Sequence, residues 1–64
     1  MSVKILAVGD VCGEPGLDYL TKNLRRLRSE LELDFVVVNG ENANVVGITP
    51  RQADMIFHAG ADVI

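Results

Sequence analysis

The sequence predicts an α/β fold in which parallel strands alternate with helices. Two short apolar runs rich in β-branched residues, at positions 3–8 and 35–38, are typical of buried strands. The leucines between them recur at spacings of three and four residues, which indicates one face of a helix. A second helical segment and a further apolar run follow. The order β-α-β-α-β with short connections favours a parallel sheet with right-handed crossovers.

The first helix is predicted from a stripe of five leucines. We expect it to pack on the sheet through these residues, which are Leu17, Leu20, Leu24, Leu27 and Leu31. A coiled-coil seam has a similar spacing, but this pattern lasts barely two heptads and is flanked by strands. A crossover helix between two parallel strands is therefore the favoured interpretation.

The second helix has the clearest start in the chain. Thr49 can cap it, Pro50 suits its first turn, and Gln52 can reach back to close a capping box. Gly60 is placed to end the helix in the left-handed conformation that other residues resist. The apolar face of this helix is expected to consist of Ala53, Ile56 and Phe57.

The third strand is expected at residues 61–64, where the sequence stops without a polar tail or a turn residue. A domain of this size buries only about 60% of the surface that its unfolded chain exposes, so it is marginal by itself. Cys12 is the only cysteine, which excludes an internal disulfide. We therefore expect residues 1–64 to be the N-terminal portion of a single domain, incomplete at its C-terminal end, in a homo-oligomeric protein.

The composition argues against several classes of protein. The net charge is −3 and no run of five like charges occurs, so the basic footprint of a nucleic-acid binder is missing. Arg25, Arg26 and Arg28 are expected on the solvated face of the first helix. No apolar run approaches the roughly 20 residues of a membrane span. With a single thiol and no signal-peptide pattern, the expected location is the cytoplasm.

Carboxylates follow both of the first two strands. Asp10 comes just after the first strand, and Glu41 and Asn42 come just after the second. In open α/β sheets, ligands bind beyond the carboxyl ends of the strands. Oxygen ligands suit hard or borderline divalent cations, and one carboxylate can bridge two ions. Helix capping or hydrogen bonding to turn amides remains an equally open interpretation of both carboxylates. For Asn42, a turn with positive φ is the favoured interpretation, and metal ligation by its side-chain oxygen is the alternative.

Other chemistries fit the same loops less well. The glycines of the first loop do not match G-x-G-x-x-G, and no Lys-Ser/Thr pair follows to make a P-loop. Asp10 as a phosphotransfer nucleophile stays open, although the Asp-x-Asp of haloacid-dehalogenase-type enzymes needs a carboxylate where Cys12 stands. We interpret Cys12 as a small residue packed behind the loop, and His58 as a surface residue in the last helical turn. A non-catalytic nucleotide- or metal-binding module is the alternative to an enzyme.

Three segments together resemble the YmdB-like metallophosphoesterases of the calcineurin-like superfamily, and the match spans nearly the whole chain. They are GDVCGEPG at 9–16, DFVVVNGENA at 34–43 and GITP at 47–50. The superfamily pattern has a Gly-Asp-x-His block, a Gly-Asp block and a Gly-Asn-His block at successive strand ends. Here the second block is Gly40-Glu41-Asn42, a change typical of this branch. Cys12 replaces the histidine of the first block, so no histidine ligand is expected there.

The resemblance implies that this chain is the βαβαβ N-terminal part of a four-layer α/β/β/α domain with two divalent ions, Fe or Mn, with Mg or Zn as alternatives. It implies Asp10 as a ligand of the first ion, Glu41 as the bridge and Asn42 as a further ligand. The general-acid histidine and other ligands are expected beyond Ile64, so the chain alone should be inactive. The implied reaction is hydrolysis of 2′,3′-cyclic nucleotides or related phosphodiesters by a hydroxide that both ions activate. RNA is a further candidate partner that the charge does not indicate.

Overall fold

The structure, a computed structural model, describes residues 2–44 and 47–64. It confirms the predicted α/β class and the alternation of strands and helices. The elements are β1 (Ile5–Val8), α1 (Gly13–Glu30), β2 (Phe35–Val38) and α2 (Pro50–Ala59). No helix in the described part of the chain is long and apolar enough to cross a membrane.

The two strands pair in parallel, as predicted, with Leu6 opposite Val36 and Val8 opposite Val38. The first strand is shorter than the apolar run suggested. Where the strand was expected to begin, the backbone pairs with a side chain instead, because the Lys4 amide donates to Asp34 Oδ2 at 2.8 Å. The Lys4 carbonyl accepts from the Asp34 amide at 2.8 Å, and these bonds hold the entrance of β1 against that of β2.

The expected third strand is reduced to one parallel bridge between Val63 and Val37. The Asp62 side chain explains the late start, because its Oδ2 accepts from the Val36 amide at 2.8 Å, where a carbonyl oxygen would otherwise pair. The Asp62 amide in turn donates to the Val36 carbonyl at 2.9 Å. The segment after α2 therefore lies along β2, on the side opposite β1. At the first position of this pairing, the Asp62 side chain takes the place of a backbone carbonyl.

The leucine stripe of α1 is buried only in its N-terminal and central parts. The buried members are Leu17, Leu20 and Leu24. Leu27 is half-buried, and the prediction for Leu31 was wrong, because its side chain is 48% exposed. The helix ends at Glu30, and Glu32 takes a left-handed φ of 53°, so the chain turns away before Leu31 can reach the sheet.

The capping box of α2 is present as predicted. Thr49 Oγ1 accepts from the Gln52 amide at 3.2 Å, and Gln52 Oε1 accepts from the Thr49 amide at 2.9 Å. Gly60 ends the helix with a φ of 128°. The predicted apolar face needs one correction, because Phe57 is 46% exposed and Ala59 is buried in its place. Phe57 directly follows the buried Ile56 and so lies about 100° around the helix from it.

Both helices cover the same face of the sheet. The buried core joins the leucines of α1 to Val36 and Val38 of β2 and to Ile56 and Ala59 of α2. The other face of the sheet leaves Ile5, Phe35 and Val63 at least 38% exposed. The described residues thus form one helical layer on one sheet.

The arginine cluster is exposed as predicted at Arg25 and Arg26, whereas Arg28 is half-buried, which corrects the prediction for that residue. Arg28 donates from Nη1 to the Gly60 carbonyl and to Asp62 Oδ2, both at 2.7 Å. Arg25 donates to the carbonyl of His58. Arg26 makes its contacts within its own helix. The other two fasten α1 to the C-terminal end of α2.

Candidate functional site

The loops that follow β1 and β2 are joined by main-chain hydrogen bonds. The Val11 amide donates to the Asn39 carbonyl at 2.9 Å, and the Gly13 amide donates to the Asn42 carbonyl at 3.0 Å. These bonds continue the pairing of the strands beyond their carboxyl ends, since the Asn39 amide also donates to the Val8 carbonyl at 2.9 Å. The convergence of the two loops expected from the parallel sheet is therefore present.

Two of the three candidate ligands are in direct contact. Asn42 Nδ2 donates to Asp10 Oδ1 at 2.9 Å. Asp10 holds an uncommon backbone conformation with a φ of 33°. Left-handed backbone at a residue other than glycine costs free energy and clusters at functional sites. The pair lies at the surface, with Asp10 exposed and Asn42 half-buried, so a ligand can reach it.

The structure removes one alternative for each candidate. Helix capping does not occupy the carboxylates, because Cys12 is the N-cap of α1 and Thr49 is that of α2. A turn with positive φ does not explain Asn42 either. Among the described residues other than glycine, positive φ occurs at Asp10 and Glu32. The carboxylates of Asp10 and Glu41 thus cap neither helix, and Asn42 does not hold a backbone conformation with positive φ.

Glu41 and Asn42 are the two central residues of a hydrogen-bonded turn. The Ala43 amide closes this turn by donating to the Gly40 carbonyl at 3.0 Å. The outer residues, Gly40 and Ala43, are buried, whereas Glu41 is exposed. The Glu41 amide also lies 3.4 Å from Asn39 Oδ1. We call residues 40–43 the ligand turn, because its buried ends hold two adjacent candidate side chains toward solvent.

Steric contacts explain why the residue at position 40 is a glycine. A Cβ atom there would lie 3.0 Å from Ile64 Cγ2 and 3.2 Å from Ile48 Cδ1, tighter than nine in ten real Cβ contacts. A Cβ at position 40 would require these side chains to shift by a few tenths of an ångström, so glycine allows the close approach of the ligand turn. This close approach seats the turn against the start of α2 and the segment after it.

One residue that holds the ligand turn was not predicted from the sequence. Gln52 was identified only as part of the capping box, yet its Nε2 also donates to the Ala43 carbonyl at 3.2 Å. Its side chain is 4% exposed, and it is the buried polar residue of the described core. The signal for this second role was present, because a glutamine rather than a glutamate at the third helical position offers a donor that the capping box does not use.

The interpretation of Cys12 as a packed residue was wrong, whereas that of His58 is confirmed. Cys12 is exposed at the N-cap of α1, and Val11, at 5% exposure, fills the buried position. His58 is exposed in the last turn of α2. That turn lies at the opposite end of α2 from Gln52 and the ligand turn. His58 is thus separated from the candidate ligands by the length of the helix.

The N-terminal turns of both helices face this region and are linked by charge. Arg51 Nη2 lies 3.3 Å from Glu14 Oε1, and both side chains are about two-thirds exposed. An ion pair this exposed contributes little to stability. The first amide of α1, on Gly13, is directed at the Asn42 carbonyl, and the partial positive charge of a helix N-terminus favours nearby anions.

The donor atoms of the candidate site fit a hard divalent cation. Asp10 and Glu41 supply carboxylate oxygens, and because Asn42 Nδ2 is used toward Asp10, its amide oxygen is the atom left to ligate. Within residues 2–44 and 47–64, no group of three His, Cys, Asp or Glu side chains is arranged to hold an ion. The donor atoms of these residues therefore fit at most part of a metal site.

Known proteins with similar sequences extend well beyond this chain. A Bacillus subtilis protein named 2′,3′-cyclic-nucleotide 2′-phosphodiesterase is 35% identical over 63 residues, which is 97% of this chain and 24% of that protein. A Mycoplasma pneumoniae protein, provisionally named a phosphatase/phosphodiesterase, is 33% identical over 98% of this chain and 23% of its own length. The chain thus spans about a quarter of the length of these relatives.

A solved structure and a family profile agree with this relationship. The crystal structure of a Thermus thermophilus protein, described as hypothetical, superposes with a TM-score of 0.81 at 37% identity. The superposition covers 92% of this chain and 23% of that one. The profile of the family described as YmdB-like protein matches residues 6–64, which is nearly the whole chain. The chain therefore belongs to the YmdB-like protein family.

Proposed function

We propose that residues 1–64 form the N-terminal part of a metal-dependent phosphodiesterase and supply part of its two-metal site. The observation that carries this proposal is the contact between Asp10 and Asn42 where two neighbouring parallel strands end. That edge is where ligands bind in open α/β sheets. The left-handed backbone of Asp10 adds support, because such strain persists where it serves a site.

The proposed ligands are Asp10 for the first ion, Glu41 as the bridge between the ions and Asn42 as a further ligand. The adjacent positions of Glu41 and Asn42 in one turn suit this division, since the two side chains leave the same short segment. Bound divalent ions, Mn²⁺ or Fe²⁺ first among them, would lower the pKa of the attacking water and offset charge on the phosphoryl oxygens. The remaining ligands and a general-acid histidine are proposed to come from outside residues 1–64.

The proposed substrates are 2′,3′-cyclic nucleotides or related phosphodiesters. The support is the name of the Bacillus subtilis relative, which is 35% identical across 97% of this chain. For the residues themselves, the role toward substrate is to fix the ions: Asn42 orients the carboxylate of Asp10, and the hydrogen-bonded loops keep both at the sheet edge. Preorganised ligands of this kind avoid reorganisation during the reaction.

The test is hydrolysis of 2′,3′-cyclic AMP by the complete protein loaded with Mn²⁺. Asp10→Asn and Glu41→Gln should each reduce kcat/KM more than about a hundredfold, because even residues outside the ligand shell often account for 10–100-fold. Asp18→Asn and Glu32→Gln make the same chemical changes at exposed positions elsewhere and should leave the rate unchanged. Undiminished hydrolysis by the first two variants would overturn the proposal, and Mn²⁺ binding without any hydrolysis would favour the non-catalytic module instead.

A further inference from the structure

The buried amide of Gln52 is used at both of its ends. Oε1 accepts from the Thr49 amide at 2.9 Å, and Nε2 donates to the Ala43 carbonyl at 3.2 Å. Ala43 is 1% exposed and Gln52 is 4% exposed, so water cannot replace the bond between them without opening the structure. Loss of a buried partner leaves an unsatisfied polar group, which costs more than the bond itself contributes.

The capping box does not by itself account for a glutamine at this position. Glutamate closes the same box equally well and also interacts favourably with the positive end of the helix. Only glutamine, however, has an amide donor to direct at the Ala43 carbonyl. The residue type at position 52 is thus the one that links the start of α2 to the ligand turn.

The ligand turn is held from two sides. At its centre, the Asn42 carbonyl accepts from the Gly13 amide at the start of α1. At its end, the Ala43 carbonyl accepts from Gln52 at the start of α2. Each helix therefore contributes one hydrogen bond to the segment that carries Glu41 and Asn42. The bond from α2 is made by a side chain, which a substitution can remove.

We propose that Gln52 is a positioning residue for metal binding, which sets the ligand turn so that Glu41 and Asn42 reach the ions. This inference rests on the proposed function but concerns a residue that contacts neither substrate nor ion. Because the bond ends on Ala43, next to Asn42, its loss lets the turn shift relative to Asp10. The expected consequence is weaker metal binding, beyond any loss of stability.

The test compares two variants that lack the donor with a control that keeps it, all in the complete protein. Gln52→Glu retains an acceptor for the Thr49 amide, and Gln52→Met avoids a buried charge. Thr49→Ala removes the hydroxyl that caps α2 and leaves the bond between Gln52 and the Ala43 carbonyl in place. All three should lower the Tm, so stability alone does not distinguish them.

The first readout is the Mn²⁺ dissociation constant measured by calorimetry. We expect it to rise by about tenfold or more in both Gln52 variants, as for residues that orient metal ligands, and to stay within about twofold of wild type in Thr49→Ala. Wild-type Mn²⁺ affinity in both Gln52 variants, despite a lower Tm, would overturn the inference by assigning Gln52 a structural role only.

The second readout needs no metal, and it separates this inference from the proposed function. Hydrogen exchange in a peptide covering residues 40–44 reports whether the Ala43 amide still closes the turn. The metal-free Gln52 variants should exchange about tenfold faster there than Thr49→Ala, with equal exchange in a peptide from α1. If the wild type does not bind Mn²⁺, the proposed function fails. Hydrogen exchange alone then decides whether Gln52 positions the ligand turn, and equal rates in all variants would refute that role.

Discussion

Asn42 and Asp10 lie 32 positions apart in the sequence, and their side chains meet at 2.9 Å. The pairing of Val8 with Val38 brings them together, because it places the ends of two parallel strands side by side. A single hydrogen bond at the surface contributes little to folding. Its main consequence is geometric, since it gives the Asp10 carboxylate one orientation.

Asn42→Ala should separate stability from metal binding. Because Asn42 is half-buried at the surface, we expect the free energy of unfolding to fall by no more than about 1 kcal/mol. Mn²⁺ affinity should fall at least about tenfold. The matched control is Asn23→Ala, which removes an amide bonded to the Tyr19 carbonyl at 2.7 Å on α1. Equal Mn²⁺ affinity in the two variants, measured by calorimetry, would contradict a ligand role for Asn42.

Substitutions at Asp10 should reverse the usual order of stability, in which an alanine variant is more stable than a glycine variant. At its φ of 33°, a side chain is strained and glycine is not. Asp10→Gly should therefore unfold at a higher urea concentration than Asp10→Ala, with a difference of about 1 kcal/mol in the metal-free protein. Asp18→Gly and Asp18→Ala in the middle of α1 should show the ordinary order, with alanine more stable. The same order at both sites would argue against the left-handed backbone at Asp10.

Asp62 should make the thermal stability of the protein depend on pH in the acidic range. The hydrogen bond from the Val36 amide, followed by that from Arg28, lowers the pKa of Asp62 below its ordinary value of 3.8. A group whose pKa is lowered in the folded state stabilises the fold at pH values above its unfolded-state pKa. This stabilisation is lost as the pH falls through the folded-state pKa. The Tm of the wild type should therefore fall more steeply below about pH 4 than that of Asp62→Asn. Asp54→Asn, which changes an exposed carboxylate of α2, should follow the wild type; parallel curves for all three would count against the prediction.

Gly40→Ala should disturb the ligand turn through packing. The added Cβ would meet Ile64 and Ile48, and displacing these side chains should cost about 1–3 kcal/mol of unfolding free energy. Gly9→Ala is the matched control, because no atom lies within 4 Å of a Cβ at that position. Adding Ile48→Val to Gly40→Ala removes one of the two contacts and should recover part of the loss. A Gly40→Ala variant as stable as Gly9→Ala in urea titrations would disprove the close approach.

Features that depend on neighbours within a few residues were predictable from the sequence. The capping box at Thr49 and Gln52 and the positive φ of Gly60 follow from local chemistry, and the structure contains both. The meeting of the two loops was also predictable, since it needs only a parallel sheet. The bond between Asp10 and Asn42 was not, because it depends on strand register and side-chain conformation.

The errors concern positions where periodicity does not say where an element ends. Leu31 continues the spacing of the leucine stripe but lies just past the end of α1. Cys12 occupies an N-cap, a boundary position whose exposure the sequence pattern did not indicate. Arg28 has a polar neighbourhood in sequence, yet its partner Asp62 lies 34 positions away. Such long-range contacts require the tertiary structure.

The separation of Asp10 from Asn42 in sequence also determines when their contact can form during synthesis. Ribosomes add about 5–20 residues per second, so the 32 positions between these residues correspond to about 2–6 s of elongation. During that interval Asp10 has left the synthesis site while the second loop does not yet exist. The carboxylate cannot gain its oriented partner before β2 is made and paired with β1, so any ligand that needs both side chains can bind the nascent chain only after that strand is in place.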